Sequence, residues 1–202
     1  MWDELAEVPS EFVLYRRTAI ALHLGHRQSV DFDFFGDRPL DPDRLALGIR
    51  FLAGATITQR APNTLGCVVD RDGPVRLSFF GLPDLVRLRP PLVAPDNGVR
   101  VASLLDLAGT KASVVQMRAE AKDYIDIDAL LMDGRIDLPA ALASARDLWG
   151  TVQPADHTQS AVLFRRRKRG DITRCDKAAA GPRGGCGRPG CASDRGQGGL
   201  RV

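Results

Sequence analysis

The sequence predicts an α+β fold in which a small mixed β-sheet is followed by a helical bundle and a disordered C-terminal tail. Short β-rich runs separated by turn residues fill the first half of the chain. Helix start and stop signals recur between about residues 103 and 150. After residue 170 large apolar residues almost disappear, so that segment buries too little surface to offset its ordering entropy. We therefore expect a sheet domain over residues 1–98, a helical subdomain over 99–164 and a basic Gly/Arg-rich tail over 165–202.

The sheet half opens with a strand, a helix and a second strand. Gly25 follows the helix and provides its C-terminal cap, because glycine readily adopts the left-handed conformation. Asp41 and Pro42 form a helix start, with the aspartate as the cap and the proline in the first turn. The predicted elements are a strand over residues 12–15, a helix over about 18–24, a strand over 30–35, a helix from Asp41 to Gly54, and short strands in ATITQR, LGCVVD and VRLSFFG.

The helical half begins after an irregular, proline-rich stretch over residues 83–98. Ser103 and Asp106 have the spacing of a capping box, in which each residue satisfies a backbone or side-chain partner at the helix start. Asp137 and Pro139 give the last helix its start. The predicted helices cover about residues 103–118, 120–132 and 137–150.

The composition does not support a membrane span and leaves the partners open. The 202 residues carry a formal charge of +3, and no apolar run approaches the roughly 18–20 residues that span a bilayer. No leader segment opens the sequence, so we expect a cytoplasmic protein. Cys67 is expected to be a buried thiol, and the three cysteines of the tail lack the spacing of a zinc site. The abrupt change of composition in the tail is also what a shifted reading frame produces in a GC-rich gene.

The run VDFDFF carries the candidate chemistry. Its period of two sends Asp31 and Asp33 to one face and Val30, Phe32 and Phe34 to the other, which faces the core. Two carboxylates roughly 6–7 Å apart on one strand face repel each other, and a divalent cation between them reverses that balance. The alternation by itself is more typical of an amphipathic strand whose acidic face is solvated.

Two longer segments resemble a known family. Residues 15–35, YRRTAIALHLGHRQSVDFDFF, resemble the nucleotidyltransferase superfamily typified by polymerase beta, and most closely the AbiEii/AbiGii-type toxin family of abortive-infection and toxin–antitoxin systems. Residues 101–131 are similar to the helical segment of that family, with its lysine and its KD..D element. The resemblance implies an enzyme that moves a nucleoside monophosphate from an NTP to an acceptor hydroxyl of RNA, tRNA in particular. It also implies a toxin with a cognate antitoxin.

The resemblance also implies roles for individual residues. Asp31 and Asp33 hold Mg²⁺, which bridges the triphosphate and activates the attacking hydroxyl. Ser29 contacts a phosphate, and Lys111 neutralises phosphate charge. Asp123 and Asp126 lie three apart on one helix face, so either reaches the cleft, or both are solvated and pair with Lys122 or Arg118. The expected catalytic residues are Asp31, Asp33, Lys111 and Asp123, and the expected nucleotide-binding residues are Arg16, Arg17, Thr18, Ser29, Lys111 and Asp126.

The sequence departs from the family pattern at two places. Arg16 and Arg17 stand where glycine, or glycine with serine, is usual before Thr18. Guanidinium groups bind phosphate, but arginines obstruct a close backbone approach and make a positive φ costly, so we expect weak NTP binding. Ser78 stands about where many members of the superfamily carry a third carboxylate. The turn DRDG offers Asp70 or Asp72 as substitutes, although its composition is that of a plain turn.

Two other functions remain open on the sequence. The first is a catalytically inactive family member that binds a partner or a nucleotide without turnover. The second is a nucleic-acid-binding protein that works through the run RRRKR at residues 165–169, although such runs are usually only solvated. His23 and His26 flank a helix end, where capping or packing is the more frequent role of a lone histidine.

Overall fold

The computed structural model describes residues 1–26, 29–117 and 120–149 of the 202-residue chain. These residues form a seven-stranded mixed sheet and five α-helices, which confirms the predicted α+β fold. The strands are β1 (Phe12–Tyr15), β2 (Asp31–Gly36), β3 (Thr56–Ala61), β4 (Thr64–Asp70), β5 (Pro74–Gly81), β6 (Leu92–Val93) and β7 (Arg100–Val101). The helices are α1 (Arg16–Leu24), α2 (Pro42–Gly48), α3 (Leu104–Met117), α4 (Ala121–Met132) and α5 (Leu138–Trp149).

Strand β2 lies at the centre of the sheet, whose strand order is β3-β4-β5-β2-β1-β7-β6. It pairs antiparallel with β1 and parallel with β5. One face of β2 packs into the core, where Phe34 is fully buried and its ring stacks on that of Phe79 with 5.2 Å between the centroids. The expectation that Val30 joins this face is wrong: β2 begins at Asp31, and Val30 is 59% exposed.

Helix α1 follows β1 without a connecting residue. It therefore begins at Arg16, two residues earlier than predicted, and Arg16 itself has a positive φ of 62°. The C-terminal end is as predicted, because Gly25 has a φ of 61° and donates its N–H to the carbonyl of Ala21. A short helix is thus connected tightly to the central strands at its start.

Helix α2 begins as predicted and ends early. The Asp41 carboxylate accepts hydrogen bonds from two N–H groups of the first turn, at 2.9 and 3.2 Å. The helix ends at Gly48 rather than Gly54, because Ile49 is extended and a separate 3₁₀ turn, Arg50–Leu52, follows. Ile49 and the two apolar residues of that turn are buried, so the core draws this segment out of the helix.

The helical half depends on one close contact between helices. A Cβ added to Gly109 of α3 would lie 2.8 Å from Leu148 Cδ1 and 2.8 Å from Ser144 Cβ, both on α5. Glycine is therefore required where α3 and α5 cross. The sequence alone did not indicate this contact.

The predicted capping box forms and has a second use. The N–H of Asp106 donates to Ser103 Oγ at 3.1 Å, and the Ser103 hydroxyl donates to the Asp106 carboxylate. The same carboxylate, 1% exposed, accepts hydrogen bonds from the N–H groups of Leu88 (2.8 Å) and Arg89 (3.3 Å). Asp106 thus fixes the proline-rich connection to the start of α3.

The described residues belong to one compact unit. Strand β7, which follows the predicted boundary at residue 98, belongs to the sheet. The division into domains over residues 1–98 and 99–164 stays a prediction, and residues 151–202, including the predicted disordered tail and the run RRRKR, lie outside the described residues. Within the described ranges, no helix is long and apolar enough to cross a membrane.

Candidate active site

The acidic pair lies on the face of β2 opposite Phe34. Asp33 is 6% exposed, whereas the Asp31 side chain is about a quarter exposed. The registers of the neighbouring strands place Tyr15 on one side of Asp33 and Ser78 on the other. The expected position of Ser78 beside the acidic pair is therefore observed, and this neighbouring strand offers a hydroxyl in place of a third carboxylate.

The two arginines contact the two carboxylates, one to one. Arg16 Nη1 lies 3.2 Å from Asp33 Oδ1, and Arg17 Nη2 lies 3.8 Å from Asp31 Oδ2. Two guanidinium charges thus balance two carboxylate charges at the start of α1. Neither contact follows from periodicity, because each depends on how α1 leaves β1.

Arg16 is further held by aromatic rings. Its guanidinium carbon lies 5.5 Å from the centroid of the Phe35 ring and 5.4 Å from that of the Phe80 ring, which is within the range of cation–π attraction. Its left-handed backbone costs a non-glycine residue roughly 1 kcal/mol or more. Arg16 nevertheless adopts a positive φ of 62° at this usual glycine position, although arginine was expected to make such a φ costly.

Thr18 and Ser29 connect the helix to the loop before β2. Thr18 Oγ1 lies 2.8 Å from Ser29 Oγ and donates a hydrogen bond to the carbonyl of Asp31. Thr18 is 4% exposed. Both hydroxyls lie next to the acidic pair, and their observed partners belong to the chain itself.

A second charged cluster joins α3 to α4. Lys111 Nζ lies 2.9 Å from Asp123 Oδ1 and 2.6 Å from Asp126 Oδ2, and all three side chains are buried. His26 Nε2 lies 3.9 Å from Asp126 Oδ1. The structure thus brings together three of the predicted residues. The alternative of a solvated pair is wrong, because Asp123 and Asp126 are 1% and 0% exposed.

The two clusters contact α1 at opposite ends. Arg16 and Arg17 begin the helix, whereas His26 follows its C-terminal cap. The nine residues of α1 span about 13 Å at 1.5 Å per residue. Helix α1 therefore connects the acidic pair, at its N-terminal end, to the Lys111 cluster, at its C-terminal end.

Other predicted residues have structural roles. Asp70 Oδ1 accepts the N–H of Gly73 at 3.0 Å, and Asp72 has a φ of 56°, so DRDG is a turn. His23 Nε2 lies 2.8 Å from the carbonyl oxygen of Ala102, and burial lowers the pKa of His23, as expected for a packing residue. Cys67 is buried as predicted, and this burial raises its pKa to about 11.

Sequence reasoning missed two neighbours of the acidic pair. Tyr15 is the strand neighbour of Asp33 in the antiparallel register, and burial raises the pKa of its phenol to about 12. Arg76 lies beside Asp31 in the parallel register of β5. Tyr15 could have been found as a neighbour of Asp33 by assuming that β1 and β2, which are close in the chain, pair antiparallel. Arg76 could not, because it lies 45 positions from Asp31 and its place depends on the register of β5.

The donor set fits a magnesium ion only in part. Across the described residues no group of three or more His, Cys, Asp or Glu side chains is arranged to hold a metal ion. Mg²⁺ in phosphoryl-transfer sites binds one or two carboxylates and takes its other ligands from phosphates and water. Asp31 and Asp33 therefore fit a cation that arrives with a triphosphate better than a cation alone.

The arrangement of this mixed sheet and its helices is similar to that of solved nucleotidyltransferases. A candidate nucleotidyltransferase from H. pylori has a TM-score of 0.53 at 18% identity, over 80% of this chain and 76% of that chain. The antibiotic-resistance factor ANT(2'')-Ia has a TM-score of 0.50 at 12% identity, over 80% of this chain and 89% of that chain. At these identities the likeness shows the fold alone.

The sequence comparison identifies the family. The model of the nucleotidyl transferase AbiEii toxin, of the type IV toxin–antitoxin system, matches residues 17–179. The chain therefore belongs to the AbiEii nucleotidyltransferase toxin family, which confirms the resemblance found in the sequence. An uncharacterized protein of Aquifex aeolicus (strain VF5) is 30% identical over 131 residues. These residues are 64% of this chain and 62% of that protein, so the chain spans less than two thirds of this relative.

Proposed function

We propose that this chain is a metal-dependent nucleotidyltransferase that moves a nucleoside monophosphate from an NTP to an acceptor hydroxyl. The observation that carries the proposal is the acidic pair of Asp31 and Asp33 on the central strand, beside the N-terminal turn of α1. No side chain caps that turn, and helix N-termini attract phosphate through their N–H groups. Membership of the family supports the same reaction.

Asp31 and Asp33 are the proposed ligands of Mg²⁺. When bound, the ion would neutralise phosphate charge and lower the pKa of the attacking hydroxyl. Arg16 and Arg17 carry charge that suits the triphosphate, and Ser29, in the loop before β2, would contact a phosphate through its hydroxyl. In the sheet, Tyr15 of β1 and Ser78 of β5 are the strand neighbours of Asp33.

For the Lys111 cluster, the geometry supports a positioning role first. Lys111 would have to give up two short contacts, with Asp123 and Asp126, to reach a phosphate. The cost of separating a buried ammonium from two buried carboxylates opposes that movement. We propose that Lys111 fixes α4 against α3, while catalysis by Asp123 and nucleotide binding by Asp126 stay predictions.

The proposed biological setting follows from the family. The acceptor is RNA, tRNA in particular, the chain is the toxin of a two-gene system with a cognate antitoxin, and it acts in the cytoplasm. Type IV toxin–antitoxin membership supports the antitoxin. The RNA acceptor rests on the resemblance.

Magnesium-dependent labelling of RNA tests the reaction. The purified chain is incubated with total RNA, Mg²⁺ and each labelled NTP in turn, and incorporation is measured on a gel. Asp33→Asn is compared with Asp43→Asn, which removes an exposed carboxylate at the start of α2. Incorporation by the wild type and by Asp43→Asn, but not by Asp33→Asn, supports the proposal. Equal incorporation by all three proteins contradicts it.

A second candidate function is supported by the ion pairs at the site. The Arg16–Asp33 and Arg17–Asp31 contacts engage both carboxylates with the chain's own cations. This arrangement favours a catalytically inactive member that binds a partner or nucleotide. NTP binding without incorporation into any RNA fraction would indicate this function.

A further inference from the structure

The arginine pair occupies the place that a cation would take. Asp33 and Asp31 would repel each other on one face of β2, and a nearby positive charge removes that repulsion. In this chain Arg16 and Arg17 supply two positive charges at 3.2 and 3.8 Å. The acidic pair is therefore already neutralised without a metal ion.

The Arg16 contact is built into the fold rather than made by a loose surface side chain. The side chain of Arg16 is 20% exposed and that of Asp33 is 9% exposed. The rings of Phe35 and Phe80 lie beside the guanidinium, and the backbone of Arg16 is left-handed. A pair that is partly desolvated in this way is screened less by salt than an exposed pair.

The Arg17 contact is weaker and more open. Its guanidinium is at 3.8 Å, and its side chain is 34% exposed against 27% for Asp31. Arg17 lies in the first turn of α1 with ordinary helical geometry, so its side chain swings away at little cost. The two contacts thus differ in how easily they open.

We propose that Arg16 and Arg17 form an autoinhibitory lock, in which their guanidinium groups hold Asp33 and Asp31 and exclude a free divalent cation. This inference rests on the proposed metal role of the two aspartates. A triphosphate is a stronger acceptor for guanidinium groups than a pair of carboxylates, because it presents more charge and bidentate oxygens. The lock opens when a metal–nucleotide complex draws the arginines from the carboxylates, Arg17 before Arg16.

The lock has a consequence for binding order. Free Mg²⁺ competes with two cations that are covalently tethered to the site, so its affinity for the nucleotide-free protein is low. Metal and nucleotide then bind as one complex, and each raises the affinity of the protein for the other by the same factor. Removal of the arginines uncouples the two ligands.

Binding of Mn²⁺ to the nucleotide-free protein tests the lock. Mn²⁺ serves as the probe because the free ion is counted directly by electron paramagnetic resonance. The variant is Arg16→Gly with Arg17→Ala, since glycine suits a φ of 62° and alanine suits the helix. We expect Mn²⁺ to bind this variant roughly tenfold more tightly or better than the wild type, which is a difference of about 1.4 kcal/mol.

Three controls keep the result specific. Arg50→Ala with Arg71→Ala removes two positive charges from peripheral pairs with Glu7 and Glu4, and it should leave Mn²⁺ affinity unchanged. Asp33→Asn added to Arg16→Gly with Arg17→Ala, the lock variant, should abolish the gain in Mn²⁺ binding. Arg17→Ala alone, which leaves the strained residue untouched, should give a smaller gain, and far-ultraviolet circular dichroism checks that each variant is folded.

The outcomes separate the lock from the proposed reaction. Equal Mn²⁺ affinity in the wild type and the lock variant overturns the lock, and so does gained binding that survives Asp33→Asn. Gained binding without RNA labelling retains the lock and contradicts the nucleotidyltransferase reaction. RNA labelling by the wild type together with equal Mn²⁺ affinity retains the reaction and overturns the lock.

Discussion

Replacement of Lys111 by methionine should strongly destabilise the chain. The ammonium lies 2.9 Å from Asp123 Oδ1 and 2.6 Å from Asp126 Oδ2, and all three side chains are buried. Methionine fills a similar volume but leaves two carboxylates without that cation, and breaking a buried pair in this way costs about 3–5 kcal/mol. At about 2–4 °C per kcal/mol for a domain of this size, the thermal midpoint should fall by about 10 °C.

Urea denaturation followed by circular dichroism measures this loss. Lys122→Met is the matched control, because Lys122 lies on α4, is about half exposed and contacts Glu120 at 3.1 Å, so its removal should cost at most about 0.5 kcal/mol. Adding Asp123→Asn and Asp126→Asn to Lys111→Met should recover much of the loss, because the two buried negative charges are then removed together with the cation. If Lys111→Met is as stable as Lys122→Met, the buried ion pairs do not exist in solution.

Four further predictions concern the site, pH and the tail. Asp33→Asn should abolish magnesium-dependent NTP turnover or binding while costing only about 1 kcal/mol of stability, since asparagine still accepts a hydrogen bond; loss of the folded circular dichroism spectrum would contradict this. Arg16→Gly with Arg17→Gly should raise the affinity of the chain for NTP with Mg²⁺, as measured by calorimetry at one salt concentration. Weaker binding would mean that contacts between the arginines and phosphate add more to the binding free energy than the lock takes away. Burial lowers the pKa of His23 from 6.5, so the unfolded chain takes up the proton first, and stability should decrease as pH falls below about 6.5. Urea midpoints at pH 7.5 and 5.5 should therefore differ less in His23→Gln than in the wild type. A chain that ends at Phe164 should keep the thermal midpoint of the full chain, because residues 170–202 carry little apolar surface to bury.

Much of the secondary structure was predictable because its signals are local. The Gly25 cap, the Asp41 cap and the Ser103–Asp106 box each depend on residues within four positions of one another, and all three form. The C-terminal end of α2, which was predicted too late in the chain, has a tertiary cause. Helix α2 ends at Gly48 because the residues after it are buried, and burial competes with helix propensity.

The site was predictable to the level of residue types and not of contacts. Alternation placed Asp31 and Asp33 on one face, and the structure has them there. The sequence indicated that arginine makes a positive φ costly at the usual glycine positions, yet Arg16 has a positive φ. It did not predict that the arginines contact the aspartates, because that contact depends on the direction in which α1 leaves β1.

The sequence by itself determined the α+β class, the family and the acidic strand, since these depend on periodicity, caps and a contiguous phrase of residues 15–35. Only the tertiary structure decided which charges meet. Lys111 and Asp126 lie on different helices, and their pairing requires α3 and α4 to pack in one register. An ion pair requires two side chains to lie within a few ångströms of each other, whereas periodicity depends only on positions along the chain. The partners of Asp33 and Lys111 could therefore be identified only from the folded structure.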